Sequence, residues 1–175
     1  MQLSLPAGIV SWDHNLTRAE TAPGPTGRLL WKVVTFGGYA ELWGVVYLTL
    51  LLWPGGITRP LGARLLAAEI LCLAILIPLR YMFRRERPTP KKPGPVPIPW
   101  ERYSFPSSHA LRSQSAAVVL AVSFPMLWFV SVPLALLVGW SRVPLRRHFP
   151  SDVLVGTIVG FACGLLATWL VGRLS

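Results

Sequence analysis

The stretch Val153–Val171, VLVGTIVGFACGLLATWLV, runs nineteen residues without a charge and follows directly on Asp152. Crossing the hydrocarbon core of a bilayer takes about 20 apolar residues in a helix, so this stretch reads as a transmembrane helix. Working back along the chain, Trp128–Trp140 with its flanks, Leu61–Leu79 and Val33–Trp53 have the same character. A helix beginning near Ser107 and running through Ser115 to Phe124 brings the count to five spans, or six should the N-terminal segment also cross. Composition agrees: hydrophobic residues make up 53% and charged residues 14% of 175, against about 25% charged in soluble domains. The expected fold is all-α, an integral membrane helical bundle forming one domain over residues 1–175.

Punctuation between the spans refines this map. Residues 1–30 read as an interfacial segment, because Ile9–Glu20 mixes Trp12 and Leu16 with Asp13, His14, Arg18 and Glu20. That pattern predicts a short amphipathic helix lying in the membrane surface. Met1–Val10 has no basic start and too short an apolar run for a secretory leader. Pro54-Gly55-Gly56 and Phe124-Pro125 mark turns. The segment 84–104 is polar, basic and holds Pro88, Pro90, Pro93, Pro95, Pro97 and Pro99, which predicts a semi-rigid extended loop at the surface. Cys72 and Cys163 fall within apolar runs and read as small core residues, with no spacing that suggests a metal.

Lys and Arg number 17 against 7 Asp and Glu, a formal charge of +10. In a soluble chain this would point to nucleic acid, but here the basic residues lie between apolar runs, and no nucleic-acid partner is expected. If the spans alternate in direction, eleven fall at one membrane face: Arg80, Arg84, Arg85, Arg87, Lys91, Lys92, Arg102, Arg112, Arg142, Arg146 and Arg147. The positive-inside bias explains such a face without any chemistry. What stands among the arginines decides between the two readings.

Three clusters reach that face. Arg80 and Arg87-Pro88 follow the second span; Pro106-Ser107-Ser108-His109 opens the third; Ser141-Arg142, His148 and Asp152 join the last two. Pro106 suits a first helical turn, where the free amides of Ser107, Ser108 and His109 would face outward and attract an anion. Arg80, Arg87 and Arg142 carry planar donors that match phosphate oxygens. His148 and Asp152 are four apart, so on a helix the carboxylate can accept from one ring nitrogen and leave the other free to attack. His109 is placed to protonate a leaving oxygen. Any one of these features is commonplace; their conjunction at three span ends on one face is not.

These clusters resemble the three-part signature of the type 2 phosphatidic acid phosphatase (PAP2) superfamily, Lys-x6-Arg-Pro, Pro-Ser-Gly-His and Ser-Arg-x5-His-x3-Asp. The third part matches at every defined position. Arg80 replaces the lysine of the first, and Ser108 the glycine of the second. The resemblance implies a lipid phosphatase working without metal or cofactor. His148 attacks phosphorus, Asp152 orients it, His109 serves as acid and then base, and Arg80, Arg87, Ser107, Ser108 and Arg142 hold the phosphate. It implies a lipid phosphate or diphosphate as substrate, such as undecaprenyl diphosphate, phosphatidylglycerol phosphate, phosphatidic acid or a lipid A phosphate. A bacterial inner membrane with an extracytoplasmic site is implied as well. The competing readings are a lipid-to-lipid phosphotransferase and a non-catalytic binder of anionic lipids.

Glu41 and Glu69 lie inside apolar spans and read as helix–helix hydrogen-bond partners rather than substrate groups. Trp53, Trp100, Trp128 and Trp140 fall at span boundaries, as an interfacial belt does. Lys91 and Lys92 suit either a second substrate phosphate or anionic headgroups.

Overall fold

The computed structural model describes residues 3–19, 23–89 and 98–174, and these are helical with no strand among them. The helices are α1 (Ala7–Ala19), α2 (Pro25–Thr35), α3 (Ala40–Leu52), α4 (Thr58–Phe83), α5 (Ser108–Ser123), α6 (Trp128–Trp140) and α7 (Pro150–Leu174). Lys91, Lys92 and four of the loop prolines (Pro90, Pro93, Pro95 and Pro97), together with Glu20, lie outside the described residues.

Three stretches are long and apolar enough to cross a membrane: Pro25–Leu52, Thr58–Phe83 and Pro150–Arg173. The other two expected spans are shorter. α6 has 13 residues, about 20 Å of helix, and α5 has 16, about 24 Å. α5 is the axis of the bundle. Its residues Ala110–Val119 are all buried, with α4, α6 and α7 around it. Its small Ala and Ser side chains allow close approach, and Ser113 bonds across it: its Oγ donates to the Ala135 carbonyl of α6 at 3.2 Å. Outward residues such as Leu52, Phe129 and Met126 are largely exposed, as suits a lipid-facing surface.

α5 and α7 approach most closely at three glycines of α7. A Cβ on Gly156, Gly160 or Gly164 of α7 would collide with the carbonyl oxygens of Ser107, Leu111 and Ser115. That contact brings the start of α5 against the start of α7, where the Ser107 amide donates to the Asp152 carbonyl at 3.0 Å.

The first expected span, Val33–Trp53, differs. Its helical stretch starts at Pro25 and is interrupted by a 3-10 turn at Phe36–Gly38. Gly37 and Gly38 are poor helix formers, and a Cβ on Gly38 would come within 2.6 Å of the His109 ring. The freed carbonyls are not left bare: Trp43 Nε1 donates to Gly37 at 2.8 Å and Arg112 Nη1 to Gly38 at 3.1 Å.

Arg112 is therefore not at the basic face, where the alternation of spans would put it. It lies inside the bundle, bound to both carboxylate oxygens of Glu69 at 2.6 to 3.0 Å. Tyr47 Oη donates to the same carboxylate at 3.3 Å, so Glu69 ties α3, α4 and α5 together, the helix–helix role expected of it. Glu41 is exposed in the first turn of α3, where the helix dipole favours a negative charge.

α1 forms as expected, with its polar stripe packed on the protein. Ile9, Trp12 and Leu16 point outward, whereas Asp13 and Thr17 are buried. The apolar stripe meets the surroundings and the polar stripe meets the protein.

Candidate active site

The chain reversal between α6 and α7 carries the central residue. Residues 141–148 wind into a compact loop in which the Arg142 carbonyl accepts from the amides of Arg147 and His148, at 2.9 and 3.2 Å. Arg146 takes the left-handed conformation, φ 53°, to close it. This winding is what five intervening residues accomplish: they turn His148 back toward Arg142 at the end of α6.

His148 is 1% exposed, and its two ring nitrogens have unambiguous partners. Nδ1 lies 2.8 Å from the Ser104 carbonyl, and Nε2 lies 2.9 Å from Arg87 Nη1. A carbonyl can only accept and a guanidinium can only donate. The proton is therefore on Nδ1, and Nε2 presents its lone pair. Burial, reinforced by the positive charges of Arg87, Arg142 and Arg80, pushes the imidazole well below its usual 6.5. It is the neutral base at physiological pH.

The partner expected for Nδ1 was Asp152, and the geometry corrects this. Asp152 Oδ2 stands 3.5 Å away and accepts the Phe149 amide at 2.9 Å, closing the start of α7. The direct orienting group is the Ser104 backbone. Asp152 contributes its charge from just behind.

Next to His148 opens a cavity of about 760 Å³ lined by Arg87, Ser108, His109, Arg142 and His148, with Arg28 and Lys32 of α2 also in its wall. Arg87 donates to the carbonyls of Glu101 and Arg147 at 2.8 to 3.1 Å, and Arg142 to Thr35 Oγ1 at 2.6 Å. Burial pushes both guanidiniums down to about 10, and both stay cationic at neutral pH. Arg80 and Ser107 are fully buried and join the cluster from behind, without lining the cavity. Arg80 donates to the carbonyls of Trp100 and Pro106 at 3.4 and 3.3 Å. Pro106 precedes the helix rather than opening it, since α5 starts at Ser108 with Ser107 at its cap. The Ser107 amide is consequently spent on Asp152.

Seven buried side-chain atoms have no hydrogen-bond partner among the described residues. Five of them belong to the candidate set: Arg80 Nε, Ser107 Oγ, both nitrogens of His109 and Arg142 Nε. Buried polar groups are normally satisfied, so their concentration here marks a place built for a polar ligand. The His109 ring is held edge-on by Tyr39, with centroids 5.3 Å apart, and from below by Gly38.

Sequence reasoning missed Ser104, Thr35, Arg85 and Asp13. Arg85 Nη1 donates to Asp152 Oδ1 at 2.8 Å and Arg85 Nη2 to Asp13 Oδ2 at 2.7 Å. A buried acid on an apolar-flanked helix was the available signal for Asp13. A backbone carbonyl leaves none for Ser104.

The family model for the PAP2 superfamily matches residues 59–175, a range that contains all three clusters. Over 108 residues the chain is 32% identical to the undecaprenyl-diphosphatase of Sulfolobus acidocaldarius, covering 59% of this chain and 52% of that protein. Over 103 residues it is 34% identical to the decaprenylphosphoryl-5-phosphoribose phosphatase of Mycobacterium tuberculosis, covering 57% and 55%. The chain thus spans about half the length of these curated relatives. In fold it is similar to the transmembrane PAP2-type phosphatidylglycerolphosphate phosphatase of Bacillus subtilis, with a TM-score of 0.74 at 22% identity over 97% of this chain and 89% of that one.

Proposed function

The chain belongs to the PAP2 superfamily, and we propose that it hydrolyses a lipid phosphate or diphosphate at the membrane surface through a phosphohistidine at His148. The observation that carries this reading is the forced tautomer of His148, whose Nε2 lone pair sits in a cavity walled by cations.

The steps follow from the groups in place. An incoming phosphate draws the Arg87 guanidinium from Nε2 onto a phosphoryl oxygen, freeing the lone pair as phosphorus arrives. Nε2 forms the N–P bond while the bond from phosphorus to the lipid oxygen, or to the bridging oxygen of a diphosphate, breaks. His109 gives its proton to the departing oxygen. Water then attacks phosphorus with His109 taking its proton, the N–P bond breaks, and inorganic phosphate leaves. Arg87, Arg142 and the Ser108 amide hold the phosphoryl oxygens from the cavity, and Arg80 and Ser107 complete the cradle from the buried side. Asp152 stabilises the imidazolium-like ring that carries phosphate.

Both curated relatives are named for polyprenyl-linked substrates, so an isoprenoid phosphate or diphosphate is the first candidate, with glycerophospholipid phosphates next. The cell membrane with an extracytoplasmic site is the setting that fits. His148→Ala in detergent decides the reading: loss of phosphate release across a panel of lipid phosphates supports it, and unchanged release sinks it. Free phosphate equal to lipid consumed separates hydrolysis from transfer to a second lipid.

A further inference from the structure

Behind His148 lies a buried charge cluster that spans the chain from its first helix to its last. Asp13 of α1 is completely buried. Its Oδ1 accepts the Ser151 amide at 2.9 Å, and its Oδ2 accepts from Ser151 Oγ and, at 2.7 Å, from Arg85 Nη2. The other arm of the same guanidinium binds Asp152 Oδ1 and Ser151 Oγ, both at 2.8 Å. The Phe149 ring lies 4.0 Å from the guanidinium carbon. Arg85 also acts through its backbone, because its carbonyl accepts the Ser104 amide at 2.8 Å and the Ser104 carbonyl in turn fixes His148 Nδ1.

Resting on the phosphatase reading above, we propose that Asp13 is a positioning residue of the active site, acting on His148 through Arg85. Two effects follow from the geometry. One is placement: a guanidinium shared between two carboxylates is held midway, and the Arg85 backbone that supports Ser104 is held with it. The other is charge. Asp13 and Asp152 contribute two negative charges against the single positive charge of Arg85, so the cluster behind the imidazole is net anionic. A ring that becomes cationic on accepting phosphorus is stabilised by that surplus. Without Asp13 the guanidinium would belong to Asp152 alone, and the pair would be neutral. α1 is thereby part of the catalytic apparatus rather than a membrane anchor alone.

The test is a set of full-length variants assayed for phosphate release on one lipid substrate. Asp13→Asn keeps the shape and removes the charge. It should lower kcat by about 10- to 100-fold, the range typical of groups that orient a reacting residue, with KM changed less than about twofold. Asp13→Glu restores the charge and should recover at least a third of wild-type kcat. Trp12→Ala, on the exposed side of the same helix, perturbs α1 without touching the charge cluster and should keep wild-type kcat. Asp13→Asn with wild-type kcat overturns the proposal, as does a loss matched by Trp12→Ala or carried by KM. If Asp13→Asn does not fold, Asp13→Glu decides: a kcat below a third of wild type overturns the proposal, and recovery to at least a third sustains it. Failure of the underlying reading looks different, because His148→Ala would then still release phosphate.

Discussion

At the scale of single residues, the protonation of His148 has a measurable cost. Its folded-state proton affinity is depressed by burial and by Arg87, Arg142 and Arg80. In the unfolded chain the same imidazole titrates near 6.5. Below that pH the unfolded state takes up a proton that the folded state refuses, so stability falls as pH falls, by up to about 1.4 kcal/mol per unit. In thermal melts between pH 7 and 5, the wild type should lose more stability than His148→Ala. Parallel curves for the two proteins would show that the depression is absent. The side chains singled out by spacing and by the family resemblance lie together: Arg87, Ser108, His109, Arg142 and His148 line one cavity, with Arg80, Ser107 and Asp152 buried behind it. Spacing did not show the hydrogen-bond partner of Nδ1. A backbone carbonyl can be supplied by any residue type, so Ser104 leaves no trace in the sequence, whereas Asp152 does.

At the scale of helices, the ion pair of Arg112 with Glu69, at side-chain exposures of 9% and 12%, fastens α5 to α4 inside the bundle. Removing one partner of such a pair strands the other charge, at a cost of about 3–5 kcal/mol. Glu69→Ala should therefore lower the unfolding midpoint sharply, while Glu69→Gln, which still accepts from Arg112 and Tyr47, should lower it less. Equal melting of Glu69→Ala and wild type would remove the pair from any structural role. Apolar run length told correctly which stretches are helices, and it placed Glu69 on a helix–helix contact. It did not show the break inside the Pro25–Leu52 span or which face of α1 meets the protein, for a common reason. Run length reports how apolar a stretch is, and the break at Gly37-Gly38 and the inward turn of Asp13 are set by what lies against them. Those neighbours are the His109 ring in one case and Arg85 with Ser151 in the other.

At the scale of the whole molecule, the site and its arginines occupy one end of the bundle. A cysteine introduced there reports the membrane side directly. Glu86 is exposed beside the site, and the two native cysteines are buried. In intact cells, Glu86→Cys should react with a membrane-impermeant maleimide without permeabilisation, in keeping with an extracytoplasmic site. Labelling only after the cells are opened would place the phosphatase chemistry in the cytoplasm. Arginine counts could not have settled this, because Arg80, Arg87 and Arg142 are tied into the cluster around His148, and Arg85 is bound to Asp13 and Asp152. Their positions reflect chemistry as much as topology.

The glycine contacts between α5 and α7 have a further consequence for which parts of the site can yield. At Gly156, Gly160 and Gly164 the backbone of α7 lies against carbonyl oxygens of α5, so at those three points the helix that carries His109 and the helix that follows His148 cannot come closer. That half of the site is the anvil. On the opposite wall the cavity is lined by the long side chains of Arg28 and Lys32 of α2, which can shift without disturbing those helix contacts. A ligand entering the cavity would be accommodated from that side.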